Sequence, residues 1–195
     1  MNITFLIGNG FDVNLGLKTR YTDFYPYYLG KKHGDLLSNA IADNYENWAD
    51  LEVFLGQFLN QITPDDIDAF LDSKGVLEND LAEYLKAEEQ CVSISEKATC
   101  TDFSQKIAGF YKEFSSKDQS EFTSWQKTIS SVIRYHFISF NYTDALDKIV
   151  NQAKKQTFPG THTCSSTRYQ DELGNILHIH GTLINNLILG INDVT

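Results

Sequence analysis

The sequence predicts an α/β fold: a parallel sheet with helices packed on both faces. Two observations carry that expectation. Four short runs rich in Ile, Leu and Phe read as strands, namely Asn2–Ile7, Tyr135–Phe140, Asn175–His180 and Asn186–Ile191. Segments with apolar residues at helical spacing separate the first run from the second and follow the second, and strands separated by helices pair in parallel.

The first run, NITFLI, is apolar on both sides, as in a strand covered on both faces. Gly8-Asn9-Gly10 interrupts it, and Phe11 to Leu17 opens a helix or a loop. Helical stripes then fill a large insertion over about 21–134. Trp48, Leu51, Leu55, Phe58 and Leu59 form one, with Phe54 beside it. Thr63-Pro64 before Asp65-Asp66 reads as an N-cap with proline in the first turn. Leu77, Leu81, Tyr84 and Leu85 repeat the spacing, as do Phe103, Ile107, Phe110, Tyr111 and Phe114. Phe122, Trp125, Ile129, Val132 and Ile133 form the stripe before the second strand. Beyond that strand, Leu146, Ile149, Val150 and Ala153 mark a helix reached through Thr143-Asp144. Glu89–Thr101 reads as a loop, and Gln156–Gly174 as a long loop that is functional, mobile or both. The expectation is one domain over residues 1–195. Because the sequence ends four residues after the last strand run, it is expected to be the N-terminal part of a longer protein.

Composition narrows the function classes. The 195 residues carry 13 Phe, 10 Tyr and 2 Trp, ample for a packed core and against dominant disorder. A formal net charge of -10 repels phosphate backbones at long range, so stable nucleic-acid binding is not expected. No apolar run approaches the ~20 residues of a membrane span, and the first residues lack a basic stretch followed by a long apolar one, so secretion is not expected. Cys91, Cys100 and Cys164 make an odd count without a CxxC pair, which argues against a disulfide scaffold or a four-thiolate zinc site and fits a reducing cytoplasm.

Four clusters can carry chemistry. Gly8-Asn9-Gly10-Phe11-Asp12 follows the first strand, where two glycines let backbone approach a pyrophosphate and the following N–H groups can face its oxygens. The structural alternative is a strand-to-helix turn needing positive φ. Asp12 beside a phosphate is repelled unless it turns toward a ribose hydroxyl or a cation. Phe140-Asn141-Tyr142-Thr143-Asp144 ends the second strand; ligands of open α/β sheets bind outside strand carboxyl ends, and the Asn amide suits sugar hydroxyls. Helix capping by Thr143 or Asp144 is the compatible alternative. In His178-Ile179-His180-Gly181-Thr182, strand spacing turns both imidazoles to one face. His180 followed by glycine suits a general base, His178 a satisfied core histidine, and a metal site would need a third ligand. His33, His136 and His162 stand without supporting context. In Trp48-Ala49-Asp50-Leu51-Glu52, Glu52 lies one turn after Trp48 as a partly buried carboxylate, functional or ion-paired (with Arg20, for instance), and Asp50 is expected in solvent.

Taken together, LIGNGFDVNLGLKTRYTDF, NWADLE, SFNYTDAL, HIHGTL and LILGIND resemble the AbiH family of bacterial phage-resistance, or abortive-infection, proteins. That family is similar to the sirtuin-like NAD-binding fold, a Rossmann-like parallel sheet. The resemblance implies that Gly8, Gly10 and the Gly16-Leu17 turn match the sirtuin cofactor loop, with Asn9, Phe11, Asp12 and Gly181 lining the same cofactor. It also implies that Asn141 and Asp144 match its Asn-x-Asp element and His180-Gly181 its catalytic His-Gly. Departures are visible: Tyr142-Thr143 puts one residue more between Asn141 and Asp144, Asp12 stands where sirtuins carry Ser, and the paired CxxC zinc module is missing. The implied activity is therefore hydrolysis of NAD to nicotinamide and ADP-ribose, with His180, Asn141 and Asp144 as catalytic residues and no metal. The alternatives are a module that senses NAD or ADP-ribose without catalysis and, last, a metal-dependent nuclease using His178 and His180. Homo-oligomerisation is implied by analogy with related defence enzymes.

Overall fold

The computed structural model describes residues 1–43, 50–91, 97–183 and 187–190. Its strands are β1 (Asn2–Ile7), β2 (Arg134–Ser139), β3 (Thr161–Cys164), β4 (Thr167–Gln170) and β5 (Glu172–His178). Its α-helices are α1 (Gly10–Asn14), α2 (Tyr21–Gly30), α3 (Leu36–Asp43), α4 (Leu51–Leu59), α5 (Ile67–Cys91), α6 (Lys97–Ala108), α7 (Ser116–Gln126) and α8 (Ala145–Ala153). The described residues fall into two compact units: 1–7, 97–140 and 144–179 in the first, and 8–43, 50–91, 141–143, 180–183 and 187–190 in the second.

The first unit is built on a three-stranded parallel sheet in the order β1-β2-β5. The expected α/β class and parallel pairing are both seen. Ile3, Tyr135 and Leu173 lie in register, followed by Phe5, Phe137 and Ile176. Period-2 alternation in β1 and β2, with a register shift in the pairing of β2 and β5 between Tyr135 and Phe137, lines up these side chains, and Tyr135 and Phe137 are fully buried. Phe103 of α6 meets the Phe137 ring at 5.7 Å, and Phe110, in a short 3-10 turn, packs edge-on against Phe5 at 5.1 Å. α8 packs on α6 and buries Leu146, Ile149, Val150 and Ala153, the stripe expected of it.

Helical cover on both faces is not what this unit shows. Leu6, Ile138 and Leu177 sit side by side on the opposite face, with Leu6 68% and Leu177 58% exposed. β1 is an edge strand whose burial alternates, because only Ile3, Phe5 and Ile7 turn toward the helices. Other boundaries move for local reasons. β2 begins and ends one residue earlier than expected, and β5 stops at His178, leaving Ile179 and His180 beyond it. α7 stops at Gln126, where the Thr128 hydroxyl donates to the Trp125 carbonyl at 2.7 Å; Ile129, Val132 and Ile133 therefore lie outside the helix. Most of the long loop expected over Gln156–Gly174 is the antiparallel β3–β4 hairpin and the start of β5. Part of the loop expected over Glu89–Thr101 is helical, since α5 runs to Cys91 and α6 begins at Lys97; residues 92–96 lie outside the described ones.

The second unit is helical. Phe24, Tyr25 and Tyr28 of α2, Leu37 and Ile41 of α3, Leu51 and Leu55 of α4, and Phe70, Leu77, Leu81 and Leu85 of α5 form one core. Asp50 is not simply solvated: it is the N-cap of α4 and accepts from the Val53 N–H at 3.2 Å. Trp48, placed in the same stripe by its spacing, lies outside the described residues. Thr63 precedes a 3-10 turn, Pro64–Asp66, and its hydroxyl donates to the Asp66 carboxylate rather than capping backbone. Of the strand expected over Asn186–Ile191, the described part, Leu187–Gly190, has no strand.

His162, unremarkable in sequence, anchors the hairpin of the first unit. Its Nδ1 lies 2.8 Å from Asp171 Oδ1, and its Nε2 lies 3.0 Å from the Ile129 carbonyl. The same Asp171 oxygen accepts from the Ile133 N–H at 3.0 Å, just before β2. Ring and carboxylate are both 1% exposed. Replacing His162 by Ala leaves a buried carboxylate short of its main partner, and is expected to cost about 3–5 kcal/mol in chemical denaturation. Leu6→Ala, on the open face, is expected to change stability by less than about 0.5 kcal/mol in the same experiment.

Candidate functional site

The chain leaves the first unit for the second directly after β1, after β2 with Phe140, and after β5 with Ile179. The three departing segments begin at Gly8, Asn141 and His180. They carry parts of three of the four clusters that the sequence singles out, and these parts lie within the second unit, whereas Phe140, Asp144, His178 and Ile179 of the same clusters lie in the first.

Asp12, on α1, joins the first segment to the second. Its carboxylate is 1% exposed; Oδ1 accepts from the Asn141 amide at 2.9 Å and Oδ2 from the Thr143 hydroxyl at 2.6 Å. The expectation that Asp12 faces a ribose hydroxyl or a cation gives way to this internal role. Burial raises its carboxyl above the ordinary 3.8, with the Thr143 and Asn141 hydrogen bonds pulling the other way. Asn141 and Thr143 are themselves 5% and 2% exposed, so all three groups form one sequestered polar knot.

Tyr142 joins the second segment to the third. Its ring lies 5.7 Å from the His180 ring, and its hydroxyl donates to Glu52 Oε1 at 3.3 Å. Glu52 Oε1 stands 3.6 Å from His180 Nδ1. The Leu183 N–H donates to the Tyr142 carbonyl at 3.1 Å, and the Ile188 N–H to the His180 carbonyl at 2.9 Å. The hydroxyls of Tyr142 and Tyr21 are both pushed upward, chiefly by burial, and stay protonated. Sequence reasoning left Glu52 open and assigned nothing to Tyr21 or Tyr142. The order of the motifs pointed to the backbone crossing, but phenols in an aromatic-rich chain gave no separate signal.

The remaining expected site residues divide. Gly16 and Gly181 have φ of +89° and +73°, conformations that favour glycine. Gly8 and Gly10 do not need positive φ, so the turn explanation fails for them, and a Cβ on either would meet nothing within 4 Å. Asn9 is engaged with Thr19: its amide donates to the Thr19 carbonyl, and its carbonyl oxygen accepts from the Thr19 hydroxyl. The N–H groups of Phe11 and Val13 are spent on the carbonyls of Gly8 and Asn9, so these two amides do not face outward as expected. Asp144 belongs to the first unit, at the N-cap position of α8 without a side-chain capping bond. His178, also in the first unit, meets Asp147 Oδ2 at 2.7 Å, while His180 stands beside Glu52 in the second. The two imidazoles of the HxH motif therefore have separate partners. Among the described residues no group of three His, Cys, Asp or Glu is placed to hold a metal, and no helix is long and apolar enough to cross a membrane.

Because burial raises the Asp12 carboxyl, the folded chain binds that proton more tightly than the unfolded chain. The stability this group contributes is fully present in acid and is lost as pH rises from its ordinary value through its folded one. Wild type is therefore expected to lose stability relative to Asp12→Asn as pH rises through that window, read from denaturation midpoints in parallel. Asp12→Ala, which leaves the Asn141 amide and Thr143 hydroxyl without their acceptor, is expected to cost about 1–3 kcal/mol at neutral pH.

No curated protein and no solved structure matches the chain. The family model described as bacteriophage abortive infection AbiH matches residues 4–194, a span that takes in Asp12, Glu52, Asn141, Tyr142 and His180. The chain belongs to the AbiH family of bacteriophage abortive-infection proteins.

Proposed function

We propose that this protein acts in abortive infection by binding NAD and hydrolysing it to nicotinamide and ADP-ribose, through a site of sirtuin-like, Rossmann-related design. The observation that carries the reading is the convergence within one unit of the opening glycine turn, Asn141 and His180, joined by Asp12 and Tyr142. A dinucleotide fits two further features. Gly8 and Gly10 are glycine where neither φ nor neighbouring atoms demand it, which leaves open backbone for a pyrophosphate. Asp12 is turned inward on Asn141 and Thr143, so its charge is screened from that pyrophosphate by its own partners.

The reaction breaks the bond between the nicotinamide nitrogen and the ribose and forms a bond from that carbon to water. The sugar gains positive charge as the neutral nicotinamide leaves. Each residue then has a task. Asn141, held by Asp12, orients a ribose hydroxyl. His180 takes the proton released by the attacking water and passes it to solvent, a role worth about 10²–10⁴-fold. The Glu52 carboxylate beside it favours the charge that develops. Phe11 and Gly181 line the cofactor site.

Incubation of the protein with NAD, followed by chromatography of nicotinamide, tests the reading. Turnover is expected, and His180→Ala is expected to lower it by at least about 10²-fold with melting behaviour unchanged; Asn141→Ala is expected to lower it as far and also to lower the melting point, because it takes a donor from the buried Asp12 carboxylate. NAD or ADP-ribose bound without nicotinamide release would favour the sensing alternative. Turnover unchanged in either variant would remove the proposed site.

A further inference from the structure

We propose that Glu52 is a positioning residue for His180, fixing the neutral imidazole in the tautomer with its proton on Nδ1 and so leaving the lone pair on Nε2. The inference rests on His180 being the base of the proposed reaction. It starts from distances: Glu52 Oε1 lies 3.6 Å from Nδ1, within reach of charge although longer than a formed hydrogen bond. A carboxylate there repels a lone pair on Nδ1 and attracts an N–H, so it selects between the two tautomers.

The surroundings hold this carboxylate in place from three sides. Glu52 stands in the first turn of α4, whose entrance Asp50 caps. Tyr142 donates to Oε1 at 3.3 Å, closer than its other acceptor, the Ile188 carbonyl at 3.5 Å. The Tyr142 ring is also packed beside His180, with 5.7 Å between ring centroids. On the third side, a Cβ at position 190 would lie 3.1 Å from Glu52 Oε2 and 3.3 Å from its Cδ, so Gly190 leaves the carboxylate its room. The Leu187–Gly190 segment is pinned in turn by Ile188 bonding the His180 carbonyl. The described part of the late island, Leu187–Gly190, thereby gains a purpose: it leaves room at Gly190 for the carboxylate that faces the imidazole.

The decisive test is ¹⁵N-resolved NMR of the His180 ring in the whole protein, at alkaline pH where imidazoles are neutral. Wild type is expected to show the Nδ1–H tautomer. Glu52→Gln keeps the shape of the side chain but can present an amide N–H to Nδ1, and is expected to show mainly Nε2–H. Wild type already in the Nε2–H form, or an unchanged tautomer in Glu52→Gln, would overturn the proposal. In the nicotinamide assay, Glu52→Gln is expected to lower kcat by about 10–10³-fold with KM little changed, less than the roughly 10⁴-fold loss when an Asn replaces the hydrogen-bonded orienting Asp of a catalytic triad, because Glu52 stands 3.6 Å from the ring. An unchanged kcat would also overturn it. Should wild type release no nicotinamide, the NAD reading fails while the tautomer measurement still decides the role of Glu52.

Discussion

A buried carboxylate with two hydroxyl and amide donors, Asp12 with Thr143 and Asn141, is the constraint on which the candidate site depends. Taking a charged carboxylate out of water is costly unless its oxygens are hydrogen-bonded, and here each oxygen has a short neutral donor. The donors come from a segment about 130 positions away in sequence. That distance is bridged because β1 and β2 are parallel neighbours in register, so the residues following their carboxyl ends begin from adjacent strands. The sheet thus delivers the two segments, and Asp12 fastens them within the second unit.

A second consequence concerns the histidines. β5 ends at His178, and the chain changes unit before His180. Had the strand continued two residues further, the period of 2 would have set both imidazoles on one face. Instead His178 is tied to α8 through Asp147, a contact within the first unit, and His180 falls among the aromatic and acidic side chains of the second. One sequence motif is divided between a structural task and a candidate chemical one.

The parts of this arrangement that were legible in the sequence are those set by local pattern. β1, α8 and the apolar stripes of α4 and α5 follow from side-chain periodicity, and α8 buries the four residues its spacing named. Patterns that depend on a partner were not legible. NITFLI reads as doubly covered because Leu6 is apolar, yet Leu6 lies in a row with Ile138 and Leu177 that stays open. The β3–β4 hairpin hides in polar residues, and its anchor is a His162–Asp171 pair that only tertiary structure brings to Ile129 and Ile133. Within the site, the glycine turn, Asn141 and His180 stood out by position. Glu52 stood out only as a partly buried carboxylate open between function and ion pair, and Tyr142 not at all, because a carboxylate and a phenol acquire meaning only from what faces them.

The charge layout of the site bears on how an acidic chain could hold a dinucleotide. Asp12 and Glu52 are met by an amide, hydroxyls and an imidazole, groups that do not cancel a negative charge outright. Around Glu52 and His180 the local field therefore favours positive charge, which suits the nicotinamide end of NAD and the sugar as that ring departs. The same field is unfavourable for phosphate. In the proposed reading the pyrophosphate would lie at the backbone of Gly8 and Gly10, where space is open and Asp12 is turned onto Asn141. Separating the cationic from the anionic end of one ligand in this way requires no basic residue at the site, consistent with a sequence whose net charge is -10.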